Sequence, residues 1–132
     1  MLYPVMPYLW ISDYEGAQEA PYDWYIINCT KDLPIVSTFG TRIPVNDDKK
    51  PESIQTMRRY LPRILENIDA KRNAGINVLV HCRAGQQRSA IVVAAYLMHT
   101  TGMSANDAVT YVRIKKPDAF LTGINFYEII FI

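Results

Sequence analysis

The apolar positions of this 132-residue chain change their spacing along its length, and the change separates predicted strands from predicted helices. Short runs of aromatic and β-branched residues are typical of strands. They predict strands at residues 8–11, 25–28, 41–45 and 76–81. Pro44 has no N–H to donate to a sheet, so the third of these must be an edge strand or must end near the proline.

Apolar residues at helical spacing predict helices at residues 51–74, 89–101, about 104–115 and from about 123 to the end. Pro62 interrupts the first helix, where we expect a kink or a split. The second is apolar nearly all round, the pattern of a buried helix, and the last is expected to bury Ile124, Tyr127, Ile130 and Phe131. Early strands and late helices predict an α/β fold, a small central sheet flanked by helices, in a single domain of residues 1–132.

Charge and hydropathy exclude several classes of protein. A net charge of +1 argues against binding nucleic acid or an anionic membrane through bulk charge. No apolar run approaches the ~20 residues that span a bilayer, so no membrane span is predicted. Residues 1–11 are apolar but lack a basic start and a small-residue cleavage site. We interpret them as a core strand and not as a signal peptide.

Cysteine is scarce, with only Cys29 and Cys82 in the chain. Two cysteines do not make a disulfide framework, so we predict a reducing compartment, the cytoplasm or also the nucleus. The two histidines and two cysteines show no metal-ligand spacing, so neither a metal nor a cofactor is expected. No oligomeric state is predicted.

Residues 80–89, Val-His-Cys-Arg-Ala-Gly-Gln-Gln-Arg-Ser, form the stretch with the clearest chemistry. A predicted core strand runs into a short loop and then into a buried helix, so backbone N–H groups point to one spot in front of the helix and can bind an anion. Cys82 at the start of the loop would be favoured as a thiolate nucleophile. Gly85 permits a tight turn and leaves room for the anion, and Arg88 supplies a planar fork that matches two phosphate oxygens.

The alternative is that Cys82 is a small core residue, as free cysteines usually are. A cysteine, a glycine and an arginine in one short window, bounded by His81 and Ser89, favour the anion site instead.

The sequence His81-Cys82, five residues, Arg88-Ser89 matches the His-Cys-x5-Arg-Ser/Thr motif of protein tyrosine phosphatases. With Ala84 and Gly85 inside, the chain resembles the dual-specificity branch. The resemblance implies that Cys82 forms a phosphocysteine intermediate, that Arg88 stabilises the developing charge, that Ser89 helps the sulfur to leave, and that His81 orients the loop. It also implies that substrate phosphate is held by the amides of Arg83, Ala84, Gly85, Gln86, Gln87 and Arg88.

Phosphoryl transfer also requires a proton donor for the leaving oxygen, on a separate loop. Asp47 and Asp48 lie in a polar turn before the first predicted helix, where aspartate is common for structural reasons alone. The segment resembles the acid loop of dual-specificity phosphatases, and Asp47 aligns with that family's general acid. Asp48 is the second choice.

Three further features carry predictions. Cys29, at the end of a predicted strand, is either a buried core thiol or the partner of Cys82 in a reversible disulfide, as a similarly placed cysteine in some phosphoinositide phosphatases implies. The pairs Lys49-Lys50, Arg58-Arg59 and Lys115-Lys116 are interpreted as solvated faces, with Lys49 and Lys50 alternatively at the rim of the site. By resemblance, Asn125 holds a nearby loop.

The loop residues also indicate the substrate. Phosphoinositide phosphatases tend to have lysines here, and RNA 5′-triphosphatases have an aromatic residue and an asparagine, whereas this chain has Arg83 and two neutral glutamines. It is also too short for the recognition loop that deepens the pocket of tyrosine-only enzymes. The resemblance therefore implies phosphorylated protein substrates as partners, with phosphotyrosine and phosphoserine or phosphothreonine accepted. The alternatives are a phosphoinositide or RNA 5′-triphosphate substrate, a non-catalytic phosphate-binding module, and a rhodanese- or arsenate-reductase-like enzyme.

Overall fold

The computed structural model describes residues 1–132 and is built on a five-stranded mixed sheet. Its strands lie in the order β1-β2-β5-β3-β4, with bounds Leu2–Met6 (β1), Leu9–Ser12 (β2), Tyr25–Asn28 (β3), Gly40–Arg42 (β4) and Val78–His81 (β5). β1 and β2 pair antiparallel, and the remaining neighbours pair in parallel. The carboxyl ends of four parallel strands therefore meet at one edge of the sheet, where ligands of open α/β folds usually bind.

The first eleven residues form a hairpin, and the prediction of one core strand there is wrong. Met6 pairs with Leu9 across a two-residue turn of Pro7 and Tyr8. Tyr8 has a φ of 66°, the sign that the third position of a type II turn requires. Tyr8 looks like a strand residue by type, but the turn fixes its backbone.

The other predicted strands are present with shorter bounds. β3 matches residues 25–28, and β5 begins two residues later than predicted. β4 ends at Arg42 and lies at the edge of the sheet, as Pro44 required. Ile43 and Val45 beyond it are nevertheless buried in the core.

Five helices accompany the sheet, with bounds Tyr14–Gln18 (α1), Pro51–Asn73 (α2), Arg88–Thr101 (α3), Ala105–Lys115 (α4) and Tyr127–Phe131 (α5). α1 was not predicted, because five residues are too few for apolar periodicity. Its one sequence signal is Asp13, whose carboxylate accepts from the Gly16 N–H at 2.7 Å as an N-cap. Ser104 caps α4 as predicted, accepting from the Asp107 N–H at 3.1 Å.

α2 runs unbroken through Pro62, so the predicted split is wrong. Pro62 lies on the exposed side of the helix, where water can bond the backbone carbonyl that the missing N–H leaves free. On the opposite side, Leu61, Ile64 and Ile68 are buried and hold the helix against the core.

The last predicted helix is much shorter than expected, because residues 117–126 form turns. Phe120 and Phe126 in these turns are buried, and so is Ile130 in α5. Tyr127 was expected in the core but is 47% exposed. The turns contact the loop described below, which is a tertiary constraint that helical periodicity does not report.

The sheet separates two apolar clusters. Ile27 and Val80 face the larger one, which includes the buried apolar residues of α2, α3 and α4 and Ile130 of α5. Ile26 and Leu79 face the smaller one, with Ala17 and Trp24. The predicted α/β fold, a small sheet flanked by helices, is thus confirmed. None of the helices has the length and apolar character needed to cross a membrane.

Candidate active site

The site is built on residues 82–87, called loop 82–87, which connect β5 to α3. His81, the last residue of β5, pairs with Ser12 of β2 on one side and Asn28 of β3 on the other. Cys82 follows directly at 2% exposure. Its Sγ lies 3.1 Å from the Ser89 Oγ, so the predicted nucleophile and the hydroxyl predicted to assist it are in contact.

Most carbonyl oxygens of loop 82–87 are held by another part of the chain. Those of residues 83, 84, 86 and 87 accept from the Tyr14 N–H at 3.0 Å, the Lys116 Nζ at 3.2 Å, the Phe120 N–H at 2.8 Å and the Ile91 N–H at 2.9 Å, respectively. Three of these four donors come from other elements of the fold. The loop is therefore braced by tertiary contacts.

The backbone N–H groups of the same loop have no such partners. None of the six N–H groups of residues 83–88 donates to an acceptor within the chain. The N–H and C=O of a trans peptide point in opposite directions, so holding the carbonyls against the scaffold turns the amides the other way. Unpaired amides at a helix N-terminus form an anion site.

Gly85 permits the tight turn that was predicted, and its contacts add a second reason for glycine at this position. Its φ is +71°, which favours glycine. A Cβ there would lie 2.8 Å from both the Lys116 Cε and the Ser12 carbonyl oxygen. The glycine therefore also lets the loop pack onto the scaffold.

Arg88 begins α3 and is 7% exposed. Its Nη1 donates to the Val45 carbonyl oxygen at 3.1 Å, and its buried Nε has no acceptor. A buried guanidinium N–H without a partner is costly, and an oxyanion in front of the amides would supply the missing acceptor. Arg88 also ties loop 82–87 to the segment that leads to Asp47.

His81 is fully buried, with its Nδ1 3.3 Å from the Cys82 carbonyl oxygen. Burial lowers the pKa of His81 below its ordinary value of 6.5, and the contact with Cys82 opposes the shift only in part. The ring is therefore neutral at neutral pH. This fits orientation of the loop and not proton transfer.

Residues 46–50, called acid segment 46–50, give the two aspartates different surroundings. Asp48 accepts from the Ser53 hydroxyl at 2.5 Å and from the Lys50 N–H at 3.1 Å. These bonds lower the pKa of Asp48, the Ser53 bond most, so this carboxylate is a poor proton donor and holds the start of α2. Asp47 is exposed and accepts only from the Asn125 Nδ2 at 2.9 Å. The geometry favours Asp47 as the acid.

Asn125 and Gln87 connect the two parts of the site. The Asn125 N–H donates to the Gln87 Oε1 at 2.9 Å, and the Gln87 Nε2 donates to the Gly123 carbonyl at 2.7 Å. Gln87 is 4% exposed, so its side chain serves the scaffold and only its N–H is free for a ligand. A chain of contacts therefore runs from loop 82–87 through Asn125 to Asp47.

Comparison with known proteins gives the family. The family model for the dual specificity phosphatase catalytic domain matches residues 23–131. The chain belongs to this family. Among curated relatives, it is 41% identical to the dual specificity protein phosphatase Mpk3 of Drosophila melanogaster over 101 residues, which is 71% of the chain. It spans only 23% of that relative's length.

Two solved structures of family members have the same fold. Human DUSP28 aligns with a TM-score of 0.79 and 26% identity, over 98% of this chain and 92% of the other. A mouse putative dual specificity phosphatase complexed with zinc tungstate aligns with a TM-score of 0.77 and 25% identity, over 98% and 86%.

The only charged variable side chain at the mouth of the site is compensated by a partner of opposite charge. Arg83 is exposed, and its Nη2 lies 3.2 Å from the Asp32 Oδ2. The Gln86 side chain donates to Asp118 at 3.2 Å. Of the variable side chains in the loop, only Arg83 is charged, and it already has a partner.

Cys29 lies one residue beyond Asn28, which pairs with His81, and its N–H donates to the His81 carbonyl at 2.8 Å. Cys29 and Cys82 thus lie side by side, each directly after the last residue of two adjacent parallel strands, β3 and β5. Complete burial, and then the negative charge of Cys82, raise the pKa of Cys29 well above its ordinary value, against the opposing charge of Arg88. Cys29 is therefore a thiol.

Lys116 is the residue of this site that the sequence misjudged. It was predicted on a solvated face, but it is 2% exposed, and its Nζ contacts Ala84 of loop 82–87. Its exposed neighbour Lys115 fits the prediction. Nothing in the pair distinguishes the two lysines, although Asp118, two residues on, supplies the partner of Lys116.

Proposed function

We propose that residues 1–132 form the catalytic domain of a dual-specificity protein phosphatase that hydrolyses phosphotyrosine and also phosphoserine or phosphothreonine. The observation that carries this proposal is that the six backbone N–H groups of residues 83–88, from loop 82–87 into the first residue of α3, have no intrachain acceptors. A phosphoryl group presents oxygens to such donors, and preorganised donors stabilise the charge of its transition state. The buried, unpartnered Nε of Arg88 adds a charged donor at the same place.

In the first chemical step, the Cys82 thiolate attacks phosphorus. A sulfur–phosphorus bond forms, the bond from phosphorus to the substrate oxygen breaks, and Asp47 gives its proton to the departing oxygen. Arg88 and the amides of loop 82–87 hold the nonbridging oxygens throughout. The products are the dephosphorylated hydroxyl and phosphocysteine.

In the second step, water attacks the phosphocysteine. The Asp47 carboxylate accepts a proton from that water, the sulfur–phosphorus bond breaks, and inorganic phosphate leaves. The electron pair returns to the Cys82 sulfur, to which the Ser89 hydroxyl, 3.1 Å away, can donate. A hydrogen bond to the thiolate makes the sulfur a better leaving group.

Protein substrates are favoured by the charges at the mouth of the site. Ligands with several phosphates are best held by several free cations. Here the charge of Arg83 is shared with Asp32, and the side chains of Gln86 and Gln87 bond to the scaffold. The mouse neighbour was solved as a complex with zinc tungstate, and tungstate is a single tetrahedral oxyanion like phosphate.

Turnover of para-nitrophenyl phosphate tests the activity. We expect the purified, reduced protein to hydrolyse it and the Cys82→Ser variant to lose the activity. Cys29→Ser is the matched control and should retain it. Absence of turnover by the wild-type protein at every pH between about 5 and 8 would refute the proposal.

A substrate panel tests the class. Phosphotyrosine, phosphoserine and phosphothreonine peptides are compared with phosphoinositides and 5′-triphosphorylated RNA at equal concentration. Protein phosphatase activity requires the highest kcat/KM on a phosphopeptide. A preference for the lipid or the RNA would reassign the substrate without changing the chemistry.

The compartment follows from the nucleophile. A catalytic thiolate is oxidised in an environment that favours disulfides, so we infer the cytoplasm or the nucleus. Fluorescence microscopy of the tagged full-length protein in its own cells tests this, and accumulation in a secretory compartment would contradict it.

We also infer that Cys29 can protect oxidised Cys82. Peroxide would convert the Cys82 thiolate to a sulfenic acid; Cys29 would then attack that sulfur, releasing water and forming a disulfide. Neighbouring strands lie about 4.8 Å apart, and Cys29 and Cys82 each directly follow one member of the Asn28–His81 pair. That strand spacing lies within the Cα separation that disulfides allow.

Mass spectrometry after peroxide treatment tests this inference. We expect a Cys29–Cys82 bridge that forms faster as pH rises, because the raised pKa of Cys29 keeps its thiolate scarce at neutral pH. Cys29→Ser should instead carry Cys82 to the sulfinic and sulfonic acids. Oxidation of the wild-type protein to those acids with no bridged peptide would exclude the inference.

A further inference from the structure

Lys116 lies directly behind loop 82–87, where a free charge would be expensive. Lysine is almost never fully buried unless it is paired, and Lys116 is 2% exposed. Its Nζ donates to the Asp118 Oδ1 and to the Ala84 carbonyl, and it lies 5.3 Å from the centroid of the Tyr3 ring. A carboxylate, a carbonyl and an aromatic ring thus compensate the ammonium.

The bond to Ala84 fixes one particular peptide of the loop. With the Ala84 carbonyl held by Lys116, the N–H of the same peptide, which belongs to Gly85, must point to the opposite side. That N–H has no acceptor in the chain. The Lys116 stem packs so closely beneath Gly85 that a Cβ there would lie 2.8 Å from its Cε, so the peptide has little room to rotate.

Asp118 extends the same support to the next residue. Its Oδ1 accepts from Lys116, and its Oδ2 accepts from the Gln86 Nε2 at 3.2 Å. Partial burial acts to raise the pKa of Asp118, but the hydrogen bonds from Lys116 and Gln86 outweigh it, and the pKa falls below its ordinary value. Asp118 is therefore a carboxylate at neutral pH and keeps the ammonium in place.

We propose that Lys116 is a positioning residue for phosphate: its buried ammonium turns the Gly85 N–H toward the bound anion and places a positive charge behind loop 82–87. This deepens the proposed function and rests on its anion site. At 2% exposure, Lys116 has no route to the substrate and acts only through the loop.

A purely structural brace would have a different consequence. A brace lowers the free energy of unfolding when it is removed and leaves anion affinity unchanged in the folded protein. A positioning residue changes the affinity of the folded protein for an oxyanion. Binding of tungstate and inorganic phosphate, measured by isothermal titration calorimetry in a Cys82→Ser background, separates the two without requiring turnover.

We expect Lys116→Met to weaken tungstate and phosphate binding about tenfold, because a hydrogen bond from a charged donor and its charge are both lost. Lys116→Arg, which keeps the charge and the donor, should recover most of the affinity. Lys115→Met, the same change at the exposed neighbour, should bind as the parent does. Tyr96→Phe, which loses a remote contact to Asp69, controls for lower stability and should also bind normally.

The possible outcomes test the role of Lys116 separately from the proposed phosphatase activity. Parental tungstate affinity in folded Lys116→Met would overturn the role of Lys116 even if the wild-type protein is an active phosphatase. If Lys116→Met fails to fold, Lys116→Gln replaces it under the same criterion. Tungstate binding that depends on Lys116 in a protein without turnover would keep the role and refute the activity. No binding of either anion to the parent would overturn both.

Discussion

Loop 82–87 and acid segment 46–50 both follow parallel strands of one sheet, but they are held in very different ways. Four carbonyls of the first are bonded to the chain, and its side chains Gln86 and Gln87 bond to the scaffold. Asp47 in the second is exposed and has one hydrogen bond, from Asn125.

The difference corresponds to the task proposed for each. The oxygens of a phosphoryl group have a fixed geometry, so donors that are held in advance need no reorganisation during the reaction. The leaving oxygen belongs to substrates of different shape, and its proton donor must reach each of them. A single exposed contact positions Asp47 at small cost and can be exchanged for the substrate.

The largest expected effect comes from a change at Arg88, which directly follows the rigid loop 82–87. Arg88→Lys keeps the charge but loses the planar fork and the Nε donor, so kcat on para-nitrophenyl phosphate should fall by roughly 10²–10³-fold. Arg58→Lys, the same change at an exposed position of α2, is the control and should be neutral. Steady-state kinetics measures both. An Arg88→Lys enzyme with wild-type kcat would show that the fork is not needed.

The next effect separates the two carboxylates of acid segment 46–50. Asp47→Asn should slow substrates with poor leaving groups by roughly 10²–10⁴-fold and activated aryl phosphates far less, because only the former need a proton. Asp48→Asn should leave kcat nearly unchanged and lower the free energy of unfolding slightly, because it weakens the bonds from Ser53 and Lys50 at the start of α2.

Kinetics on phenyl and para-nitrophenyl phosphates, together with urea denaturation, gives both quantities. Equal slowing of the two substrates by Asp47→Asn would mean that Asp47 is not the acid. If Asp48→Asn instead slows phenyl phosphate more than para-nitrophenyl phosphate, Asp48 and not Asp47 is the acid.

The smallest effect tests the contact between the two regions. Asn125→Ala removes the hydrogen bond to Asp47 but keeps the backbone N–H that bonds Gln87. Loss of one exposed hydrogen bond, worth about 0.5–1 kcal/mol, should slow poor leaving groups about two- to fivefold. Asn106→Ala on the exposed side of α4 is the control. If Asn125→Ala slows activated and poor leaving groups alike, the contact does not position the acid.

Local sequence patterns predicted the strands and helices best where a single residue restricts the backbone conformation or caps a helix. Pro44 correctly placed its strand at an edge, and Ser104 correctly marked the start of α4. The same patterns failed where contacts with other parts of the fold determine the local structure. Pro62 is tolerated because its side of α2 is exposed. Residues 123–126 of the last predicted helix form no helix, and within them the Asn125 N–H bonds Gln87 of loop 82–87 instead.

The same division applies to the candidate site. Cys82, Arg88 and Ser89 are close in sequence, so one strand–loop–helix junction brings them together and the motif predicts them jointly. Asp47 was preferred to Asp48 by resemblance, and the physical reason for the preference is tertiary: Ser53 and Lys50 engage Asp48. Lys116 was assigned to the surface, because burial of one lysine of a pair depends on what packs over it.

The sequence by itself determined the chemistry of loop 82–87, because a nucleophile, a glycine turn and a guanidinium within seven residues need only local geometry to act together. The tertiary structure decided what holds that loop and what faces it. Lys116, Asn125 and Asp47 come from segments distant in sequence. Their contacts arise only when the sheet and helices pack, since no periodicity within a segment encodes its neighbours in space.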